Sequence, residues 1–231
     1  MRNDLFSKLK GGMIVSCQAE GDDPFNKPEY IALFAKAAEM GGACGIRTEG
    51  IAKLKAIKET CPLPVIGLLK TYFEDGFVRI TGSWDEVCQL LAAGSDIIAI
   101  DGTFRKREGL AGPDFIKTVK TEIPDIIILA DIATYEEALA CEAAGADCIS
   151  TTLSGYTPET QKFNIGPDFN LMESLSRDLH IPIFAEGRIN TPAEAAEAMR
   201  LGAFAVITGT AISRPRVITQ WFVDAIRDKQ K

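Results

Sequence analysis

Four glycines about fifty residues apart, Gly42, Gly94, Gly145 and Gly202, each close a helical stretch and lead into a β-rich run. The segments carrying them, MGGACGIRTEG, AAGSDIIAIDG, AAGADCISTT and LGAFAVITG, share one plan, and a period of that length holds two strand-plus-helix units. Between them lie GGMIVSCQ, LPVIGLLK, IPDIIILAD and IPIFAEG, three of them introduced by proline. Eight strands therefore alternate with helices. The strand runs are short and nearly continuous in aliphatic residues, as in parallel strands covered on both faces. The stretches between are amphipathic with marked starts. Ser83 to Glu86, Thr134 to Glu137 and Thr191 to Glu194 have the capping-box spacing, and Pro28, Pro113 and Pro192 suit first helical turns.

Such alternation builds either a closed barrel or an open doubly wound sheet. The count of eight, and the lack of a G-x-G-x-x-G after the first strand, predict one (β/α)8 TIM barrel domain over residues 1–231. A chain of 231 residues, 46% of them hydrophobic, is the size of one such domain. Two connections are longer than the rest. TYFEDGFVRITGSWDE after Lys70 contains a β-like piece, Phe77–Thr81, expected to cover part of the mouth. LSGYTPETQKFNIGPDF, after the sixth strand, is either a loop that closes over a ligand or a plain surface loop.

A net charge of −7 with no basic run argues against a nucleic-acid groove or an anionic membrane surface, and leaves room for a small anionic substrate met by a few convergent cations. No apolar stretch approaches bilayer length and the first residues lack a signal-peptide core, so a cytoplasmic protein is expected. The six cysteines are scattered without a C-x-x-C, and the single histidine, His180, precedes a strand at its entry side. Neither a metal site, a disulfide framework nor a Cys–His nucleophile is expected.

In a barrel of this kind, functional groups stand at the C-terminal ends of the strands. In order these are Gln18, Arg47, Lys70, Asp101, Asp131, the group Ser150, Thr151 and Thr152, then Glu186, and Gly209 with Thr210. Gly187 and Gly209 follow the seventh and eighth strands, where barrels seat phosphate and where a missing Cβ lets backbone N–H groups approach an anion. Lys70 would sit low in a mouth holding Asp101, Asp131 and Glu186. It is either a partner of those carboxylates or a base desolvated beside Arg47, and the carboxylates oppose the second role. Proton abstraction next to a carbonyl needs a base, a donor for the developing enolate oxygen and little water.

The segments GGMIVSCQA, GGACGIRTEGI, PVIGLLK, IDGTFRKR, LADIAT, CISTTLSGYT, AEGRINTP and TGTAISRP resemble, in order and spacing, the N-acetylmannosamine-6-phosphate 2-epimerases of bacterial sialic-acid catabolism. The resemblance covers nearly the whole chain. It implies a (β/α)8 barrel, commonly dimeric, that interconverts N-acetylmannosamine 6-phosphate and N-acetylglucosamine 6-phosphate without metal or organic cofactor. By motif, Lys70 looks like the family's acid/base and Glu186 like its catalytic partner. Gln18, Arg47 and Asp131 look like substrate-binding positions, Arg214 with Gly187 and Gly209 resembles the phosphate end, and Thr151, Arg188 and Thr210 are further expected substrate-binding positions. Thr71 and Tyr72, where a basic residue is frequent after the lysine, Gly102 in place of alanine, and TGTAISRP in place of a more glycine-rich loop depart from the common pattern. Whether Lys70 alone returns the proton, or Glu186 or a substrate hydroxyl takes part, is open at this stage. An aldolase with a Schiff-base lysine and a non-catalytic sugar-phosphate sensor are the rival readings.

Overall fold

A computed structural model describes residues 2–73, 77–161 and 166–228. The chain runs α1 (Arg2–Leu9), β1 (Met13–Ser16), α2 (Pro28–Met40), β2 (Gly45–Glu49), α3 (Ile51–Thr60), β3 (Val65–Leu68), β4 (Lys70–Tyr72), β5 (Val78–Ile80) and α4 (Trp84–Ala92). It continues β6 (Ile97–Asp101), α5 (Gly112–Glu122), β7 (Ile128–Asp131), α6 (Tyr135–Ala143), β8 (Cys148–Ser150) and α7 (Phe169–Asp178). The last elements are β9 (Ile183–Glu186), α8 (Pro192–Arg200), β10 (Ala205–Thr208), α9 (Thr210–Ser213) and α10 (Pro215–Asp228). Eight parallel strands close in the order β1-β10-β9-β8-β7-β6-β3-β2, the expected (β/α)8 barrel. No helix among the described residues is long and apolar enough to cross a membrane.

The repeat has a backbone cause. Gly42, Gly94, Gly145 and Gly202 have φ of 90°, 86°, 94° and 99°, left-handed values that let α2, α4, α6 and α8 stop and turn into the next strand. At the other helix ends all three capping boxes form: Ser83, Thr134 and Thr191 accept from the backbone N–H of Glu86, Glu137 and Glu194, and each glutamate accepts in return. Each such cap contributes about 1 kcal/mol.

Strand alternation splits the core into two layers. Val15, Ile46, Val65, Ile98, Ile100 and Val206 pack outward with buried faces of the helices, such as Ile31, Leu54 and Val119. Ile14, Ile66, Leu68, Ile97, Leu129, Phe184 and Ile207 fill the interior. The N-terminal segment, read from sequence only as lacking a signal, folds as α1 and contributes the fully buried Leu9 to that inner layer. Its Phe6 meets Phe204 edge-on at 6.0 Å, and Phe204 packs on Phe184 at 5.5 Å.

The long connection after β3 contains the expected β piece. β5 pairs antiparallel with β4, Lys70 opposite Ile80 and Tyr72 opposite Val78, so Lys70 opens a hairpin where the sequence reading had it close a barrel strand. Residues 74–76 of this connection, and 162–165 of the connection after β8, lie outside the described residues.

Candidate active site

The alternation that turns Ile14, Leu129 and Phe184 inward also turns Ser16, Arg47, Asp131, Ser150 and Glu186 inward, nearer the C-terminal ends of their strands. A cavity of about 350 Å³ opens at that end. Nine of the eleven residues expected to act here line it: Gln18, Arg47, Lys70, Glu186, Gly187, Arg188, Gly209, Thr210 and Arg214. Asp131 and Thr151 do not.

Asp131 lies one layer beneath, fully buried, and holds Arg47 with both oxygens, at 3.0 Å and 2.6 Å. The same guanidinium reaches Glu186 Oε2 at 3.2 Å. Thr152 Oγ1 stands 2.9 Å from Asp131 Oδ1 and 2.7 Å from Glu186 Oε2, and the Ser150 hydroxyl donates to Glu186 at 3.2 Å. One cation thus serves two buried carboxylates. Burial pushes the Glu186 carboxyl above its usual range; Arg47 opposes this and the charge of Asp131 adds to it. Asp131 is raised the same way, by burial against the pull of Arg47. Burial draws the Arg47 guanidinium down, but Asp131 and then Glu186 outweigh it, and it stays a cation.

Across the cavity, Lys70 Nζ makes a short ion pair with Glu20, whose Oε1 also accepts from the Arg214 guanidinium at 3.2 Å. Gln18 donates to Ser16 at 2.9 Å at the head of β1. Gly187, φ 106°, needs its left-handed turn, and a Cβ on Gly209 would come within 3.2 Å of the Ser16 side chain. Both glycines line the cavity, with the chain after β10 packed closely on the end of β1.

Three expectations are corrected by the packing. Asp101 does not join the mouth: it is fully buried, bound by Arg105 at 2.8 Å and Arg107 at 2.9 Å and by Thr103, all from the loop after its own strand. Thr151 points away from the cavity and exchanges hydrogen bonds with the Glu186 backbone, so Thr152 is the inward threonine. Arg188 lines the cavity, but its guanidinium is committed to the carbonyls of Gly166 and Ser154 and lies over Tyr156 at 5.1 Å, fastening the loop after β8. The sequence reading missed Glu20, Asn190, Tyr156 and the apolar wall of Val78, Ile80 and Leu153. Only the last had a signal, the β-like piece after Lys70.

Over residues 31–228 the chain matches the model of a family described as "Putative N-acetylmannosamine-6-phosphate epimerase". A protein named "Putative N-acetylmannosamine-6-phosphate 2-epimerase" from Caldanaerobacter subterraneus subsp. tengcongensis is 47% identical over 231 residues, covering 100% of this chain and 97% of the relative. One of the same name from Escherichia coli (strain K12 / DH10B) is 47% identical over 220 residues, 94% of this chain and 92% of the relative. The solved N-acetylmannosamine-6-phosphate 2-epimerase from Clostridium perfringens superposes with a TM-score of 0.88 at 40% identity, over 96% of each chain. A thiamine phosphate pyrophosphorylase from Pyrococcus furiosus, 18% identical with a TM-score of 0.61 over 91% of each chain, shares the fold alone. With a match of this length and relatives of this identity across the whole barrel, the chain belongs to the N-acetylmannosamine-6-phosphate epimerase family.

Proposed function

We propose that this protein interconverts N-acetylmannosamine 6-phosphate and N-acetylglucosamine 6-phosphate by moving the proton on C2 of the open-chain sugar, with Lys70 as the base. The observation that carries the reading is that Lys70 and Glu186 line one cavity from opposite sides of the barrel. In the open-chain aldehyde the C1 carbonyl acidifies the C2 proton, and an amine close to C2 removes it. Charge then develops on the C1 oxygen. Glu186, pushed by burial toward its protonated form, is a donor for that oxygen, and Arg47 holds it in place. Inversion puts the returning proton on the other face of C2, and Glu186, across the cavity from Lys70, is the group assigned to deliver it, directly or through a substrate hydroxyl.

Arg214, with the backbone at Gly187 and Gly209, binds the 6-phosphate, and the wall of Val78, Ile80 and Leu153 excludes water from the reacting end. An enzyme with this substrate works in the cytosol, since a sugar phosphate is too highly charged to cross a bilayer unaided. A second copy of the chain covers α10, which buries none of its residues and exposes Trp221, Phe222 and Ile226 by 40%, 68% and 61%. A coupled assay for N-acetylglucosamine 6-phosphate, with purified protein and N-acetylmannosamine 6-phosphate, tests the reaction; no product from folded protein overturns it. Sedimentation at micromolar concentration tests the homodimer, and a monomer overturns that part.

A further inference from the structure

Glu20 lies in the loop after β1, and a single oxygen of its carboxylate accepts from both Lys70 and Arg214. Among the described residues, the other two cations that line the cavity are engaged elsewhere, Arg47 by Asp131 and Glu186, and Arg188 by loop carbonyls. An entering phosphate dianion therefore competes with Glu20 for its cations. The Glu20 side chain is 44% exposed, while the backbone beside it is fixed, Ala19 by Lys53 and the Glu20 carbonyl by the Asp23 N–H. The carboxylate can swing into water without unmaking the loop. Burial draws its carboxyl up, but Lys70 and then Arg214 outweigh this, and it is held below its usual value as an anion.

We propose that Glu20 is a displaceable internal anion: it pairs with the Lys70 ammonium while the cavity is empty, and the phosphate of the substrate, by taking Arg214, releases it and frees Lys70 for the C2 proton. On release the unpaired ammonium gives one proton to water, and the remaining amine accepts the one from C2. Phosphate binding and base release are then one event, so a sugar without phosphate is a poor substrate even where its ring fits. The proposal rests on the roles given above to Lys70 and Arg214.

Inorganic phosphate is the probe. As a competitive inhibitor of the sugar phosphate it should bind Glu20→Gln at least ~3-fold more tightly than wild type, the worth of a part-exposed ion pair, with Glu20→Ala shifting the same way. With phosphate-free N-acetylmannosamine in deuterium oxide, inorganic phosphate should accelerate deuterium uptake at C2 by wild type. Glu20→Gln should exchange faster without phosphate and respond to it at least ~3-fold less. A purely structural Glu20 would loosen phosphate binding and leave the response ratio unchanged, and either result overturns the proposal. If wild type turns over the sugar phosphate and Lys70→Ala does not, an unchanged inhibition constant removes Glu20 alone. If Lys70→Ala still exchanges the C2 proton, the reading of Lys70 has failed first.

Discussion

Lys70 and Glu186 face each other across the cavity from β3's hairpin and from β9, strands four places apart whichever way the closed barrel is followed. Each has its own electrostatic setting. Lys70 pairs with a half-exposed carboxylate at the rim, whereas Glu186, 12% exposed, shares one arginine with a second buried carboxylate. A two-group inversion places its donor and acceptor on opposite faces of one carbon, and the proposed pair stands at opposite points of the barrel's circumference.

Glu186→Gln keeps the shape and removes the proton donor, so kcat should fall by ~10²–10⁴-fold. Its stability should move the other way with pH. The folded carboxyl is raised above the ordinary 4.5, so its contribution is fully present below that value and is lost as pH rises through the raised one. The melting temperature of the variant relative to wild type should therefore climb steadily between about pH 4 and pH 8. A difference that falls over that window contradicts the assignment.

Arg47→Met leaves Asp131 and Glu186 buried without their shared cation. Urea unfolding at pH 8 should show a loss of ~3–5 kcal/mol, with a smaller loss near pH 5, where protonation relieves the pair. A loss under ~1 kcal/mol at pH 8 would mean that the carboxylates are not held as ions by Arg47.

Arg214→Ala should raise KM by ~10–100-fold, the worth of a charge-assisted hydrogen bond, and lower kcat by less. An unchanged KM removes Arg214 from the phosphate end.

The barrel was legible because its parts are locally encoded. Left-handed turns after α2, α4, α6 and α8 call for glycine, and capping boxes call for a hydroxyl and a glutamate at fixed spacing. Gln18, Arg47, Lys70 and Glu186 were legible for the same reason, as polar residues that end apolar runs. The misplaced expectations depend on how loops fold back. Asp101 looked like a mouth carboxylate until Arg105 and Arg107 closed over it, and Arg188 looked free until the loop after β8 offered it two carbonyls. Thr151 and Thr152 are adjacent, so which of them faces inward turns on a one-residue register that composition does not carry. Glu20 sits in a loop with no periodic pattern, and its two partners lie 50 and 194 residues away.

The central claim is that Lys70 moves the C2 proton, and deuterium uptake at C2 tests it most directly. Wild type incubated with N-acetylmannosamine 6-phosphate in deuterium oxide should label C2 as it epimerises. Lys70→Arg keeps the positive charge and the pairing with Glu20, but a guanidinium does not give up its proton near neutral pH, so labelling and epimerisation should fall together by at least ~10²-fold. An arginine variant that labels C2 and epimerises at near wild-type rate would show that Lys70 only holds its neighbours in place, and that the base lies elsewhere in the cavity.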